Sequence, residues 1–198
     1  ITLNDGADAN YHFHYVSSEL SIGETTQHID VFAVDSNATY GDEPLQIEGV
    51  ATSDLPVSYT SSNPDVLEVN GTQLKVRGAG IAVIYANQSG SANYLAAAER
   101  NATIVVHTAE LEVIAEPKSK AYLEPLPELT YHYQGFVNDE NASALEEKPS
   151  ISTTATAESP AGEYPITLND GADANYHFHY VSSTLEIGKA VQVIAFNQ

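Results

Sequence analysis

The sequence predicts an all-β protein built from repeated sandwich-type or barrel-like domains. Short segments that alternate apolar and polar residues recur along the chain, separated by Gly, Pro, Asn and Asp. No segment shows the sustained 3.6-residue apolar period that predicts a helix. The 18-residue segment ITLNDGADANYHFHYVSS occurs twice, at residues 1–18 and 166–183. An identity of this length at an offset of 165 residues indicates an internal repeat.

The repeat predicts the domain organisation. Val191–Phe196 is in register with Thr26–Val31, so a second period begins near residue 190. A 165-residue period accommodates two domains of about 80 residues each, which is a usual domain size. We expect a window from a longer tandem array of two alternating domain types. Its predicted parts are the closing strands of a preceding repeat at 1–24, a first domain at 25–108, a second domain at 109–189, and the opening strand of the next repeat at 190–198.

Residues 1–24 are predicted to form the closing hairpin. In Asn10–Val16, Tyr and Phe side chains fall on one face and His12 and His14 on the other, as in a half-buried strand. The preceding NDGADAN is rich in residues that favour turns. Leu20 and Ile22 begin a second short strand.

Within 25–108, Asn70-Gly71 lies between two alternating segments and predicts a hairpin with a type I′ turn, which needs positive φ at both central residues. Asn37–Pro44 is predicted to be a loop. Tyr94–Arg100 favours a helix but is short, and we predict a loop there too. The predicted strands are Ile29–Val34, Leu45–Val50, Pro56–Thr60, Val66–Val69, Gln73–Val76, Ile81–Ala86 and Ala102–Val106.

Within 109–189, residues 117–127 are predicted to be a proline-interrupted connection and residues 135–149 a polar excursion. The second copy of the repeated hairpin closes the domain. The predicted strands before it are Leu111–Ala115, Leu129–Tyr133, Ser150–Thr156 and Tyr164–Leu168.

The composition excludes several classes of function. The net charge is −20, with 27 acidic residues against seven Lys and Arg, which disfavours nucleic-acid partners and anionic membrane surfaces. Cys is absent, so neither a disulfide nor a zinc–thiolate site can form. No apolar run approaches the roughly 20 residues that span a bilayer, so we expect no membrane insertion. Met is also absent, and we expect any signal peptide or anchor to lie outside this sequence.

The repeated NDGADAN turns are candidate calcium sites. Calcium prefers oxygen ligands, and the two turns supply Asp5, Asp8, Asp170 and Asp173. Their spacing lacks the order of an EF-hand loop. Asp and Asn also favour turns for conformational reasons alone, which is the alternative interpretation.

The repeated His-x-His pairs are a second candidate. His12 and His14, repeated as His177 and His179, place two imidazoles on one face of a strand, as zinc sites do. A third ligand such as His132 would be required. The alternative is a solvent-facing polar row. The sequence contains no Gly-x-Ser-x-Gly elbow and no phosphate-binding glycine loop, so we predict no enzymatic activity.

Val50–Ala97, with Thr39-Tyr40-Gly41-Asp42-Glu43-Pro44 before it, resembles the bacterial Ig-like MBG domains and their Big-type relatives. Residues 109–189 are similar to the companion MBG type. There Ala121-Tyr122-Leu123-Glu124 stands where Tyr-Gly-Asp is usual, followed by Gly135-Phe136 and Asn175-Tyr176.

The resemblance implies tandem Ig-like β-sandwich domains in long secreted or cell-surface bacterial proteins, often adhesins. A non-enzymatic stalk or spacer is the function it favours. A module that binds carbohydrate or protein, and an accessory segment of a secreted enzyme, are the alternatives. The expected partners are neighbouring repeats, with strand pairing or swapping at the cut ends. A host or surface ligand would be unknown.

Overall fold

A computed structural model of the chain describes residues 6–195, apart from the side chain of Val31. All regular secondary structure in these residues is β-strand, which confirms the predicted all-β class. No helix in this part of the chain has the length and apolar character to cross a bilayer. The strands are β1 Ile29–Ala33, β2 Asn37–Thr39, β3 Leu45–Gln46, β4 Glu48–Ala51, β5 Ser58–Ser61, β6 Leu67–Asn70, β7 Gln73–Val76, β8 Gly80–Asn87, β9 Arg100–His107, β10 Ala109–Ala115, β11 Lys118–Ala121, β12 Tyr131–Gln134, β13 Ser150–Thr153, β14 Gly162–Asn169, β15 Tyr176–Val181 and β16 Ser183–Gly188.

The described strands form several small sheets. Their strand orders are β1-β4, β2-β9-β8-β5, β3-β7-β6, β12-β10-β15 and β11-β16-β14-β13. The chain also divides into two compact units. The predicted domain boundaries at 25–108 and 109–189 differ from this division and stay a prediction. The first unit comprises Ile1–Phe32, Gly49–Ser58 and Ala86–Arg100, and the second comprises Ala33–Glu48, Tyr59–Tyr85 and Asn101–Gln198.

The first unit is organised around Gln27, which is buried. Its side-chain amide donates to the carbonyl oxygen of Leu95 at 2.7 Å and also contacts the Gln88 side chain. Nearby, Thr25 N donates to Asn93 O at 2.9 Å, which holds the start of this segment in place. Because these buried polar groups have partners, the segment avoids the cost of unsatisfied hydrogen bonds.

The second unit contains a β-sandwich formed by sheets β12-β10-β15 and β11-β16-β14-β13. Side chains in β10 alternate between buried and outward-facing positions, as the period of a half-buried strand requires. Each fully buried aliphatic side chain stabilises the fold by about 1.5–3 kcal/mol. The core between the two sheets consists of Val113, Ala115, Ala155, Ile166, Leu168, Leu185 and Ile187.

The chain crosses twice from one sheet of this sandwich to the other. β10 and β15 lie side by side in one sheet, and the strands that follow them, β11 and β16, lie side by side in the other. β10 pairs in parallel with β15, and β11 pairs in parallel with β16. Pro117 lies between β10 and β11, where the chain leaves the first sheet. Proline lacks the N–H that a continuous ladder would need, so it favours a break between the two strands. The prediction of a strand-free connection at 117–127 was therefore wrong for Lys118–Ala121.

Two other local predictions need correction. β2 lies inside the predicted loop at Asn37–Pro44 and pairs in parallel with β9. The β6–β7 hairpin closes with the pair Asn70↔Gln73, so its loop residues are Gly71 and Thr72. Gly71 has φ +62° and takes the first loop position, as glycine does in a type II′ turn rather than the predicted type I′.

The repeated segment adopts two conformations. Residues 166–183 contribute β14 and β15, whereas the described residues 6–24 contain no strand and are exposed. The hairpin predicted at 1–24 is therefore absent from residues 6–24, and residues 190–195 likewise contain no strand. The segment that pairs with β15, AELEVIA at Ala109–Ala115, occurs only once in the sequence. A strand needs a partner for its backbone N–H and C=O groups, and among the described residues only the second copy of the repeat forms paired strands. Even there the predicted closing hairpin was wrong, because β15 pairs with β10 in one sheet whereas β14 and β16 lie in the other.

Candidate functional site

The second unit contains a cluster of hydrogen-bonded and aromatic residues that we call the junction. It is defined as Tyr40, Phe136, Val137, Glu140 and Tyr176. It lies beside the point where β9 ends at His107 and β10 begins at Ala109, with only Thr108 between them. The junction therefore joins the segment containing β2 and β9 to the sandwich that begins with β10.

Tyr40 is positioned by a tight turn at the end of β2. Thr39 N donates to the Asp42 carboxylate at 2.7 Å, and Asp42 N donates to Thr39 O at 3.0 Å. Tyr40 N donates to His107 O at 2.8 Å, which extends the parallel β2–β9 ladder by one bond. These bonds fix the backbone from which the Tyr40 ring projects.

Glu140 connects the two buried tyrosines of the junction. The Tyr40 hydroxyl donates to one carboxylate oxygen at 2.7 Å, and the Tyr176 hydroxyl donates to the other at 2.6 Å. Val137 N in turn donates to the Tyr176 hydroxyl oxygen at 3.1 Å. Hydrogen bonds to an ionised carboxylate are among the stronger ones in proteins, so Glu140 acts as a bridge.

Aromatic packing surrounds this polar bridge. Tyr40 and Tyr176 are only 6% and 4% exposed. Their ring centroids lie 5.6 Å apart at an interplanar angle of 89°, and Phe136 meets Tyr176 at 5.4 Å and 83°. Edge-to-face pairs of this kind contribute about 0.5–1.5 kcal/mol beyond their buried area.

Gly41 allows the close approach that the junction requires. A Cβ atom at this position would lie 2.6 Å from Val137 Cβ, which is closer than real side chains come. Gly41 also has φ +93°, a backbone conformation that L-residues rarely adopt. Any larger residue would therefore both strain the turn and push the Val137 segment away.

Burial raises the pKa of both Tyr40 and Tyr176, and the hydrogen bonds to Glu140 raise each pKa further. Both hydroxyls therefore stay protonated at neutral pH and remain available as donors. The arrangement offers hydrogen-bonded attachment between chain segments.

The second NDGADAN turn supports the junction. Asp173 Oδ1 accepts from Asn175 N at 2.8 Å and from Tyr176 N at 3.1 Å, which orients Tyr176. Glu146 N donates to Asp173 Oδ2 at 3.2 Å. Asn175 Oδ1 accepts from Ala79 N at 2.9 Å. This turn therefore uses its side-chain oxygens to bind the chain's own backbone.

The structure places the other proposed calcium ligands apart from any metal-like cluster. Asp5 lies outside the described residues. Asp8 Oδ1 accepts from Asn10 N at 2.7 Å, and Asp170 Oδ2 accepts from the Ser150 hydroxyl at 3.0 Å. Within residues 6–195, no group of three or more His, Asp or Glu side chains is arranged to hold a metal ion. Calcium binding stays a prediction.

The histidines of the second copy lie on the exposed face of sheet β12-β10-β15. His179 Nδ1 is 3.7 Å from Glu112 Oε1, and His177 is in register with Glu110. His132, suggested as a third zinc ligand, lies on β12, on the other side of β10, with its Nδ1 3.8 Å from Glu116 Oε1. The described geometry is that of exposed His–Glu neighbours.

Sequence reasoning missed Glu140 and Val137, which lie in the predicted polar excursion at 135–149. Their distance in sequence from Tyr40 hid the contact, since a 100-residue separation leaves no local pattern. The one available signal was the glycine of the Tyr-Gly-Asp motif at Tyr40–Asp42, because glycine has no Cβ and so permits the close approach of another segment.

Comparisons with known proteins locate the family match in the second half of the chain. No curated protein matches the sequence. Among solved structures, the chain is similar to a structure titled "Structure of surface layer protein SbsC, domains 1-6", at 12% identity and a TM-score of 0.31. That alignment covers 89% of this chain and 29% of the other, so the chain spans less than a third of that structure. Residues 111–186 match the MBG domain (YGX type) family, as the resemblance around Ala121-Tyr122-Leu123-Glu124 predicted.

Proposed function

We propose that this chain is a non-enzymatic segment of a tandem Ig-like array in a bacterial cell-surface or extracellular protein, where it acts as a stalk or spacer. In this proposal residues 25–108 are the first-type module and residues 109–189 the second-type module. The match of residues 111–186 to a repeat-type domain family supports a surface-protein repeat. The stalk role rests on the physical argument that follows.

The junction is the observation that carries the proposal. A spacer must transmit position from one module to the next, which requires a short linker and fixed contacts rather than a flexible hinge. Thr108 is the only residue between β9 and β10, and Glu140 binds Tyr40 and Tyr176 at the same point. A partly buried hydrogen-bonded bridge beside a one-residue linker restricts bending at the junction.

The charge of the chain is also suited to an extended array. A net charge of −20 makes successive modules repel one another, which disfavours collapse of the array and self-association. The effect weakens as salt shortens the screening length, to about 8 Å at physiological ionic strength.

The alternative of a recognition module finds little support in the exposed aromatic residues. Tyr11, Phe13 and Tyr15 are exposed and resemble a carbohydrate-stacking patch. However, they are the sequence copies of residues in β15, where the equivalent of Tyr11 is buried in the junction. The same residue type is thus buried in one copy and exposed in the other, so exposure of these rings does not by itself indicate a ligand site.

Small-angle X-ray scattering of the full chain tests the spacer role. A compact 198-residue domain would have a radius of gyration of about 16 Å. We expect a clearly larger value, with a narrow distribution of maximum dimensions. Glu140→Ala should broaden that distribution because it removes the bridge, while Glu128→Ala, at an exposed position, serves as the matched control.

Circular dichroism of each variant checks that the fold is retained. A radius of gyration near 16 Å for the wild type would contradict an extended spacer. Labelling of intact cells with an antibody against the chain tests the proposed location, and labelling only after lysis would contradict it.

A further inference from the structure

A second turn in the chain repeats the geometry of the Tyr40 turn but lacks its partner among the described residues of the second unit. The turn is Ala121–Glu124, at the end of β11. Ala121 N donates to the Glu124 carboxylate at 2.8 Å, Glu124 N donates to Ala121 O at 3.2 Å, and Tyr122 N donates to Gly188 O at 2.9 Å. Each bond has a counterpart in the Tyr40 turn, and β11 runs parallel to β16 as β2 runs parallel to β9. Tyr122 therefore occupies the position of Tyr40.

The surroundings of the two tyrosines differ. Tyr40 is buried against Tyr176, whereas Tyr122 is 38% exposed and Leu123 is 62% exposed. Both line a pocket of about 510 Å³, together with residues that include Pro160, Ala161 and Lys189. The chain leaves β16 beside this pocket. Tyr40 is covered by the other residues of the junction, whereas Tyr122 borders an open, largely apolar pocket.

Leu123 occupies the position of Gly41 and has φ +70°. A leucine in this conformation is strained, because its Cβ crowds the backbone. Strained residues persist where the surrounding structure or function requires them. Gly41 admits a neighbour to van der Waals contact, whereas Leu123 projects a side chain into solvent, so the two turns are shaped for different partners.

The repeat identifies the partner that reaches this pocket. After β16 the sequence returns to the first-type module, since Gln192 and Ile194 repeat Gln27 and Ile29. Both module types hold their entering segment in the same way: Ala109 N donates to Asn175 O at 2.9 Å, and Thr25 N donates to Asn93 O at 2.9 Å. The residue after each asparagine is a tyrosine. In the second-type module this tyrosine is Tyr176, the ring that Tyr40 contacts.

We propose that the pocket at Tyr122 and Leu123 is the docking site for the first-type module of the following repeat. This inference rests on the proposed tandem array. Tyr122 packs against the counterpart of Tyr94, and Leu123 packs against the counterpart of Leu95, which is 46% exposed in this chain. Because one turn has glycine and the other has leucine, each turn fits only one module type. This difference preserves the alternating order of the two module types.

The test extends the full chain by one period. Residues 190–198 are in register with residues 25–33, so residues 34–198 are repeated after residue 198. Hydroxyl-radical footprinting then compares the oxidation rate of Tyr122 in the extended and original chains. We expect at least a threefold decrease for the first Tyr122 and no change at Leu126, which is also exposed but lies outside the pocket. An unchanged Tyr122 rate would overturn the docking site.

A disulfide trap gives an independent measurement, since the chain has no native cysteine. The extended chain carries Leu123→Cys in the first repeat and a cysteine at the counterpart of Leu95 in the second. We expect rapid disulfide formation under mild oxidation, and at least tenfold slower formation when Leu126→Cys replaces Leu123→Cys. Equal rates for the two pairs would contradict docking.

Scattering by the extended chain separates failure of this inference from failure of the spacer role. If Tyr122 stays exposed while the particle lengthens with the added period, the docking site is wrong and the spacer stands. If the particle fails to lengthen, the spacer itself is contradicted.

Discussion

At the residue scale, the junction shows how a carboxylate can be accommodated among aromatic rings. Burying a charged group is costly unless it is hydrogen-bonded. Glu140 meets this condition because two tyrosine hydroxyls donate to its two oxygens. The same bonds give both tyrosine hydroxyls a carboxylate acceptor. Each group in the bridge is therefore needed by the others, and loss of one leaves the rest incompletely bonded.

Tyr133 and Tyr176 provide a matched pair for testing this account. The Tyr133 hydroxyl is buried and has no hydrogen-bond partner among the described residues. Tyr133→Phe should raise the free energy of unfolding by about 1 kcal/mol, since it removes an unsatisfied polar group. Tyr176→Phe should lower it by about 1–3 kcal/mol, because Glu140 and Val137 N lose a partner. Urea unfolding measures both, and a stabilising Tyr176→Phe would contradict the bridge.

The same tyrosines predict sensitivity to alkaline pH. Burial raises the pKa of Tyr40, Tyr133 and Tyr176 above the unfolded value of about 10. The neutral form is favoured in the fold, so their contribution to stability is complete below pH 10 and is lost as pH rises through the folded pKa values. Each tyrosine should lower the free energy of unfolding by about 1.4 kcal/mol per pH unit in that range.

Unfolding measured between pH 8 and 11.5 tests this expectation. Tyr176→Phe should show a shallower decline than the wild type, since one titrating group is removed. An identical slope in the two proteins would mean that other groups control the alkaline transition.

At the element scale, the turn at Thr39–Asp42 needs glycine both for its positive φ and for the close approach of Val137. Gly71 shares only the first of these requirements. Gly41 and Gly71 both have positive φ, but only at Gly41 would an added Cβ meet a neighbour, Val137. Gly71→Ala should cost about 1 kcal/mol from backbone strain alone. Gly41→Ala should cost more, about 2–4 kcal/mol, because overpacking is added. Thermal or urea unfolding of the two variants gives the comparison. Equal decreases in the free energy of unfolding would show that the Val137 side chain moves aside at no cost.

The strands themselves differ in how well local sequence specifies them. β8, β9 and β10 are long and apolar on at least one face, and the sequence predicted a strand within each of them. β2 and β11 were missed because each is short and is held in parallel pairing with a strand distant in sequence. Their pattern of side chains carries little information, since the stabilising bonds come from a partner that local sequence does not reveal.

At the scale of the whole molecule, the excess of acidic residues predicts a response to cations. If the NDGADAN turns bind calcium, millimolar calcium should raise the melting temperature by several degrees relative to EDTA, because a ligand that binds only the native state stabilises it. Asp170→Asn should reduce that shift, since it removes one proposed ligand. Equal melting temperatures in calcium and EDTA would contradict the calcium hypothesis and leave packing as the source of stability.

The repeated segment separates what the sequence determines from what tertiary structure decides. Locally the two copies behave alike. In each copy a glycine N–H, Gly6 or Gly171, donates to a tyrosine hydroxyl nine residues later. The Phe13–Tyr15 and Phe178–Tyr180 rings stack at the same centroid distance of 6.1 Å. These contacts follow from the sequence because both partners lie within nine residues of each other.

Strand formation and burial differ between the two copies. Tyr11 is 74% exposed, whereas its copy Tyr176 is 4% exposed and part of the junction. The amino-acid sequence alone determined the all-β class, the repeat and these local contacts. Only the tertiary structure decided which copy becomes a strand and where the junction forms, because backbone pairing and apolar burial depend on segments far away in the chain.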